Sequence, residues 1–149
     1  MSDAPKHPAD PANEFDVFLD AAQSGGGLRT GSGSGTVTVS GTNLLVDVSY
    51  SGLSGNRTDD HFHAPAVRGA NASVVYPLAG ITIGNQSGTI KGTVPLLNAK
   101  YGGKTVAQQV QDMRDQLWYL NIHTTTFTGG EIRGQVELAK TRFYRLVKP

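Results

Sequence analysis

The chain has no cysteine. That removes disulfides, thiolate metal ligands and a thiol nucleophile together. It has no surplus of charge: 13 Lys and Arg stand against 12 Asp and Glu, a net charge of +1. A nucleic-acid or acidic-membrane surface, which needs a basic footprint, is therefore not expected. No apolar run approaches the roughly 18–20 residues of a membrane span. The opening stretch MSDAPKHPADPANEF lacks the apolar segment of a signal peptide. The chain is read as the mature form of a secreted or periplasmic protein, with a cytoplasmic one left open. Neither G-x-S-x-G nor a phosphate loop occurs, and the glycine run at 25–27 lacks the lysine and the strand–helix setting such a loop requires.

What is present describes one globular domain. The 149 residues are 38% hydrophobic and 17% charged, ordinary values for a chain long enough to bury a single core. Nineteen glycines predict many turns and few long helices. Residues 1–13 are proline- and alanine-rich without periodicity and are read as a flexible lead-in. Residues 14–139 form the expected domain, and 140–149 a basic, aromatic tail. Asn56, Asn71 and Asn85 open glycosylation-type triplets, which matter only in a eukaryotic secreted protein.

Alternation predicts strands at 15–22, 35–41, 43–53, 73–80, 87–96, 117–124 and 130–138, with HFH (61–63) on another. In 43–51, Leu44, Val46, Val48 and Tyr50 share one face, and Leu45, Asp47 and Ser49 the other. The stretch 23–35, QSGGGLRTGSGSG, is read as a slack connection, with a mobile lid as the alternative. In 104–117, Val106, Val110, Met113 and Leu117 recur at helical spacing, so one amphipathic helix is expected over an open end of the sheets. Seven or eight short strands and one helix predict an all-β sandwich.

The chemistry is concentrated in histidine. In His61-Phe62-His63 the two imidazoles share one strand face while Phe62 takes the core side. In LWYLNIHT, Trp118, Leu120 and Ile122 form the apolar set, and Tyr119, Asn121 and His123 the polar one. If the two strands are neighbours, His61, His63 and His123 converge. Three imidazoles with a fourth position open to water is an arrangement suited to a copper or zinc ion, one per chain. The competing reading is three surface histidines, some bonded to Asp59 or Asp60. Those aspartates are expected chiefly to stabilise a turn, with holding the His61 N–H or supplying an oxygen ligand as the alternative. Glu131, Arg133 and Gln135 share a face of the last strand. Glu131 is a candidate base or partner of a ligating imidazole, against a structural role. Tyr119 is a candidate hydroxyl donor or redox side chain, against half-buried packing.

The segments VSYSGLSG, HFHAPA, GTIKGTV and LWYLNIHTTTFTGGEIRGQVEL resemble the CHRD domain family, named from chordin. The resemblance covers about residues 15–138, and the block from Tyr119 to Gln135 is its most specific part. The family's glycine after H-x-H is Ala64 here, its proline before Gly129-Gly130 is Thr128, and its early acidic motif is replaced by AQSGGG. The helical insert is longer than typical. The resemblance implies an immunoglobulin-like or superoxide-dismutase-like sandwich. His61, His63 and His123 are similar in type and order to three copper ligands of the copper-zinc dismutases. No fourth histidine is placed to bridge to zinc, and no zinc loop is visible.

Two functions are expected from this sequence. One is a metal-binding domain, with copper serving binding, delivery or redox chemistry, or zinc serving hydrolysis, on a small ligand the sequence does not name. The other is a non-catalytic extracellular module that binds a protein or self-associates, with Phe143 and Tyr144 in its surface.

Overall fold

The computed structural model describes residues 11–78 and 85–139. It contains eight strands and one α-helix: β1 Glu14–Asp20, β2 Ser32–Ser40, β3 Asn43–Ser51, β4 Arg57–His63, β5 Val74–Pro77, β6 Gly88–Pro95, α1 Val106–Arg114, β7 Tyr119–Thr124 and β8 Ile132–Leu138. All eight strands join one antiparallel sheet in the order β5-β4-β7-β8-β1-β2-β3-β6. The sheet curls until it is nearly closed into a barrel, in keeping with the expected all-β sandwich.

Side-chain alternation decides what fills the interior. Phe15, Val17 and Leu19 from β1, Leu44, Val46, Val48 and Tyr50 from β3, and Phe62, Leu120 and Ile122 from β4 and β7 are all buried in one core. Fully burying side chains of this size contributes about 1.5–3 kcal/mol each before entropy is counted. The open end is roofed by α1. Its N-terminus carries a capping box, in which the Thr105 hydroxyl accepts from Gln108 N and the Gln108 side chain accepts from Thr105 N. That satisfies two backbone donors the first turn leaves over. Val110 and Met113 face inward as the spacing predicts. The helix is shorter than the expected 104–117, because Gln116 takes a positive φ of 61° and turns the chain. Gln109, fully buried, accepts a hydrogen bond from Tyr76 Oη at 2.7 Å and donates to Leu97 O at 2.7 Å. The Tyr76 hydroxyl also bonds the Leu97 backbone. β5, the end of β6 and the helix are thus tied where the sheet itself does not close.

Two expectations need correction. At the end of the lead-in, whose first ten residues lie outside the described ones, Pro11–Asn13 form a 3-10 turn rather than a flexible stretch, and Arg114 donates to Ala12 O at 2.8 Å and Asn13 Oδ1 at 2.7 Å. The glycine-serine stretch is not slack either, since β2 begins at Ser32 and pairs along its length with β3. Composition misled here because glycine in a strand also permits close backbone approach. A Cβ on Gly35 would lie 2.1 Å from Asp47 O, and one on Gly33 2.7 Å from Ser49 O.

The two kinds of strand glycine make a direct test. Gly35→Ala is expected to lower stability by about 1–3 kcal/mol, because β3 backbone must move. Gly92→Ala on β6, where a Cβ meets nothing within 4 Å, is expected to be neutral or to stabilise by up to about 1 kcal/mol. Urea denaturation midpoints of the two variants read the difference.

Candidate metal centre

The site is a consequence of β4 pairing with β7. Their register sets Asp59 opposite His123, His61 opposite Asn121 and His63 opposite Tyr119. Phe62, Leu120 and Ile122 then point to the core, and the histidines to the outer face. Asp60, two residues before Phe62, faces inward by the same alternation, and a bulge between Arg57 and Asp59 brings buried Arg57 to the same side, where the two pair. Burial raises the Asp60 pKa against the pull of that guanidinium. Neither aspartate sits in a turn, as the sequence had suggested: both lie on β4, and Asp59 accepts from His61 Nε2 at 2.9 Å.

One nitrogen from each of His61, His63 and His123 lies within 4.8 Å of the other two. The hydrogen bonds determine which nitrogens these are. Carbonyl and carboxylate oxygens only accept. His63 therefore donates Nδ1–H to Ala72 O at 2.8 Å, and His123 donates Nδ1–H to Thr128 O at 2.8 Å. His61 donates Nε2–H to Asp59. The nitrogens left without an oxygen partner are Nδ1 of His61 and Nε2 of His63 and His123. His63 Nε2 is buried without a partner. His61 Nδ1 and His123 Nε2 face each other at 3.2 Å. At that distance the two nitrogens either share a proton in a hydrogen bond or face a common cation. Metal–nitrogen bonds of about 2.0–2.1 Å in a tetrahedral site put nitrogens about 3.3 Å apart. The His61–His123 spacing is close to this, and the third nitrogen, from His63, lies within 4.8 Å of both.

Electrostatics favours the ligating form at His63. Burial, and then the charges of His61, His123 and Arg133, lower its pKa despite the bond to Ala72. Its ring stacks on Tyr119 with centroids 4.7 Å apart. The guanidinium of Arg133 lies over the other ring of this stack, 3.4 Å from the Tyr119 centroid.

The outer face is not open to water as strand alternation suggested. Tyr119 is 2% and Asn121 7% exposed, because loops cover both. The segment 64–73 is held by Ala72, bonded to His63 and to the Tyr119 hydroxyl, and by Ala66 O, bonded to Gln135. Tyr119 thus spends its hydroxyl on the loop. The turn after β7, which carries Thr128, is buttressed by Arg29: Nε donates to Gly130 O at 2.9 Å and the guanidinium covers Phe127. The two carbonyls that orient His63 and His123 are not legible in the sequence, since backbone acceptors in loops have no residue signature.

The CHRD domain family model matches residues 14–136. The chain belongs to the CHRD family. No curated protein and no solved structure matches it. The match spans every strand of this CHRD domain except the last two residues of β8, and all three histidines.

Glu131 lies apart from the imidazoles. It is fully buried and accepts from Thr30 N at 3.0 Å, Ser54 N at 2.9 Å and Thr124 Oγ1 at 2.8 Å. It ties two loops of the CHRD domain to the β7–β8 turn. Burial raises its pKa, but these donors prevail and hold it below its ordinary 4.5. A group so depressed in the folded state stabilises fully above that value, and the contribution is lost as pH falls through the folded pKa. Glu131→Gln is expected to cost about 2 kcal/mol at neutral pH, because an amide N–H would face backbone N–H groups. The deficit relative to wild type should shrink below about pH 4. Denaturant titrations of both proteins between pH 3 and 7 check the sign; a deficit that grows on acidification contradicts it.

Proposed function

We propose that this CHRD domain is an extracellular module whose outer face binds one copper or zinc ion through His61, His63 and His123. The observation that carries the reading is the convergence of three imidazole nitrogens within 4.8 Å, each on a ring whose other nitrogen is bonded to an oxygen. Oriented ligands of this kind are typical of sites in which a carboxylate or carbonyl fixes the tautomer. With three protein donors, a bound ion retains a position for water or a small ligand, and would supply Lewis acidity or, for copper, redox capacity. The chain's own residues hold the imidazoles and limit solvent through the loop at 64–73. Glu131 and the Tyr119 hydroxyl, both bonded elsewhere, are not assigned a reacting role.

A second reading rests on the family and on the surface. CHRD membership favours a non-catalytic protein-interaction module, and Leu28 at 86% and Phe18 at 62% exposure offer apolar contact. The tail residues Phe143 and Tyr144, expected to govern assembly, lie outside the described residues. In that reading metal is dispensable to binding or self-association.

Affinity measurements on untagged protein separate the readings. His123→Ala is expected to weaken zinc or copper binding by about 100-fold or more, and Asp59→Asn by about tenfold, each with the fold retained. Stoichiometric metal binding that survives in His123→Ala sinks the three-histidine site. A wild-type protein that takes up no metal yet self-associates in light scattering supports the interaction module.

A further inference from the structure

A second feature of the same outer face is Arg133. It is 6% exposed, and a charged group so far from water is normally paired with an acid. Among the described residues no carboxylate pairs with it. Its hydrogen bonds go to Asn71 Oδ1 at 3.0 Å and to Ala70 O. Asp20 stands opposite it across β1, but the Asp20 carboxylate accepts from Gln23 N at 2.8 Å. Most of the five guanidinium N–H donors remain uncommitted. Beside Arg133 is an open pocket of about 330 Å³, walled by Gln23, Ser24, Gly25, Asn71 and the exposed Ala22. Arg133 is the one charged residue among those lining it. Two further cations are near: Arg68 is occupied by Glu137 and Gln23, each at 2.6 Å, and Arg29, whose guanidinium lies beside Gly25, donates to Gly130 O at 2.9 Å and Gly26 O at 3.3 Å.

We propose that this pocket is a binding site for the carboxylate of a small organic monoanion, received by the Arg133 guanidinium. A planar fork matches a carboxylate with two parallel N–H bonds. Arg133 is the charged residue that lines the pocket, and Arg29 beside Gly25 is already committed to the Gly130 and Gly26 carbonyls, so a monoanion is preferred to a phosphate ester or a polyanion. The volume limits the ligand to a small acid. The side-chain amides of Gln23 and Asn71 line the walls, the Ser24 hydroxyl being committed to Gly130 O, and the Tyr119 ring beneath the guanidinium supports it against the sheet. The proposal stands without the metal reading, because no histidine lines the pocket.

The test is a two-dimensional NMR titration of metal-free, chelator-treated protein with sodium acetate, against sodium chloride at equal ionic strength. Saturable shifts are expected at the Arg133 Nε–H and at the amides of Gln23 to Gly25 and Asn71. Arg133→Gln removes the cation and also loosens the loop at 70–71. Ala22→Glu is therefore the second variant: it changes an exposed side chain and places a competing carboxylate at the pocket mouth. Each variant should bind acetate about tenfold more weakly or worse. Acetate shifts no larger than those of chloride overturn the proposal. So do shifts that persist in Ala22→Glu, or that centre on the histidines. Tighter binding of inorganic phosphate than of acetate overturns the choice of a monocarboxylate.

Discussion

The pairing of β4 with β7 sets both the inside and the outside of this domain. It places Phe62, Leu120 and Ile122 in the core, and the same alternation delivers His61, His63 and His123 to the opposite face. A slip of one residue would exchange the two sets, putting imidazoles in the core and a phenylalanine among polar loops. Core burial therefore fixes the histidine geometry, since the energy of several buried large side chains opposes any other register. The site inherits its rigidity from packing that has nothing to do with metal.

Outside the sheet there is a second, polar layer. Its members bond mostly to loop backbone: Gln135 to Ala66, Arg133 to Ala70, His63 and Tyr119 to Ala72, His123 to Thr128, and Arg29 to Gly130. Glu131 performs the same task for the loops at Thr30 and Ser54. The result is a roofed face in which Tyr119, Asn121, Arg133 and Gln135 are buried. That is the setting in which a lone cation such as Arg133, or a lone pair such as that on His63 Nε2, is costly when unpartnered. Both features identify places where a ligand would complete the structure.

Much of this was legible in the sequence, for identifiable reasons. Alternation in 43–51 and 118–123 located the core faces, because a strand repeats every second residue. The helix showed in the spacing of Val106, Val110 and Met113. The histidines could be phased onto one face by the same rule, and the CHRD resemblance is carried by the segments the strands contain. Other features were not legible. Ser32 to Gly35 read as coil, since composition does not distinguish a flexible glycine from one pressed against a neighbouring strand. Asp59 and Asp60 read as turn residues, since a β-bulge has no simple signature. The outer face read as wet, since alternation records polarity and not what the loops lay over it. Glu131 and Arg133 were seen as a face of the last strand, but their partners lie about a hundred and about sixty residues away in the chain.

The central claim is that three imidazoles present their lone pairs to one point. The most direct measurement is histidine side-chain nitrogen NMR of the metal-free protein, followed through addition of one equivalent of zinc. The account predicts that His63 and His123 carry their proton on Nδ1. It also predicts that the resonances of His61 Nδ1, His63 Nε2 and His123 Nε2 shift together and saturate at one equivalent. A proton on Nε2 of His63, or zinc additions that leave these three nitrogens unmoved, would contradict it.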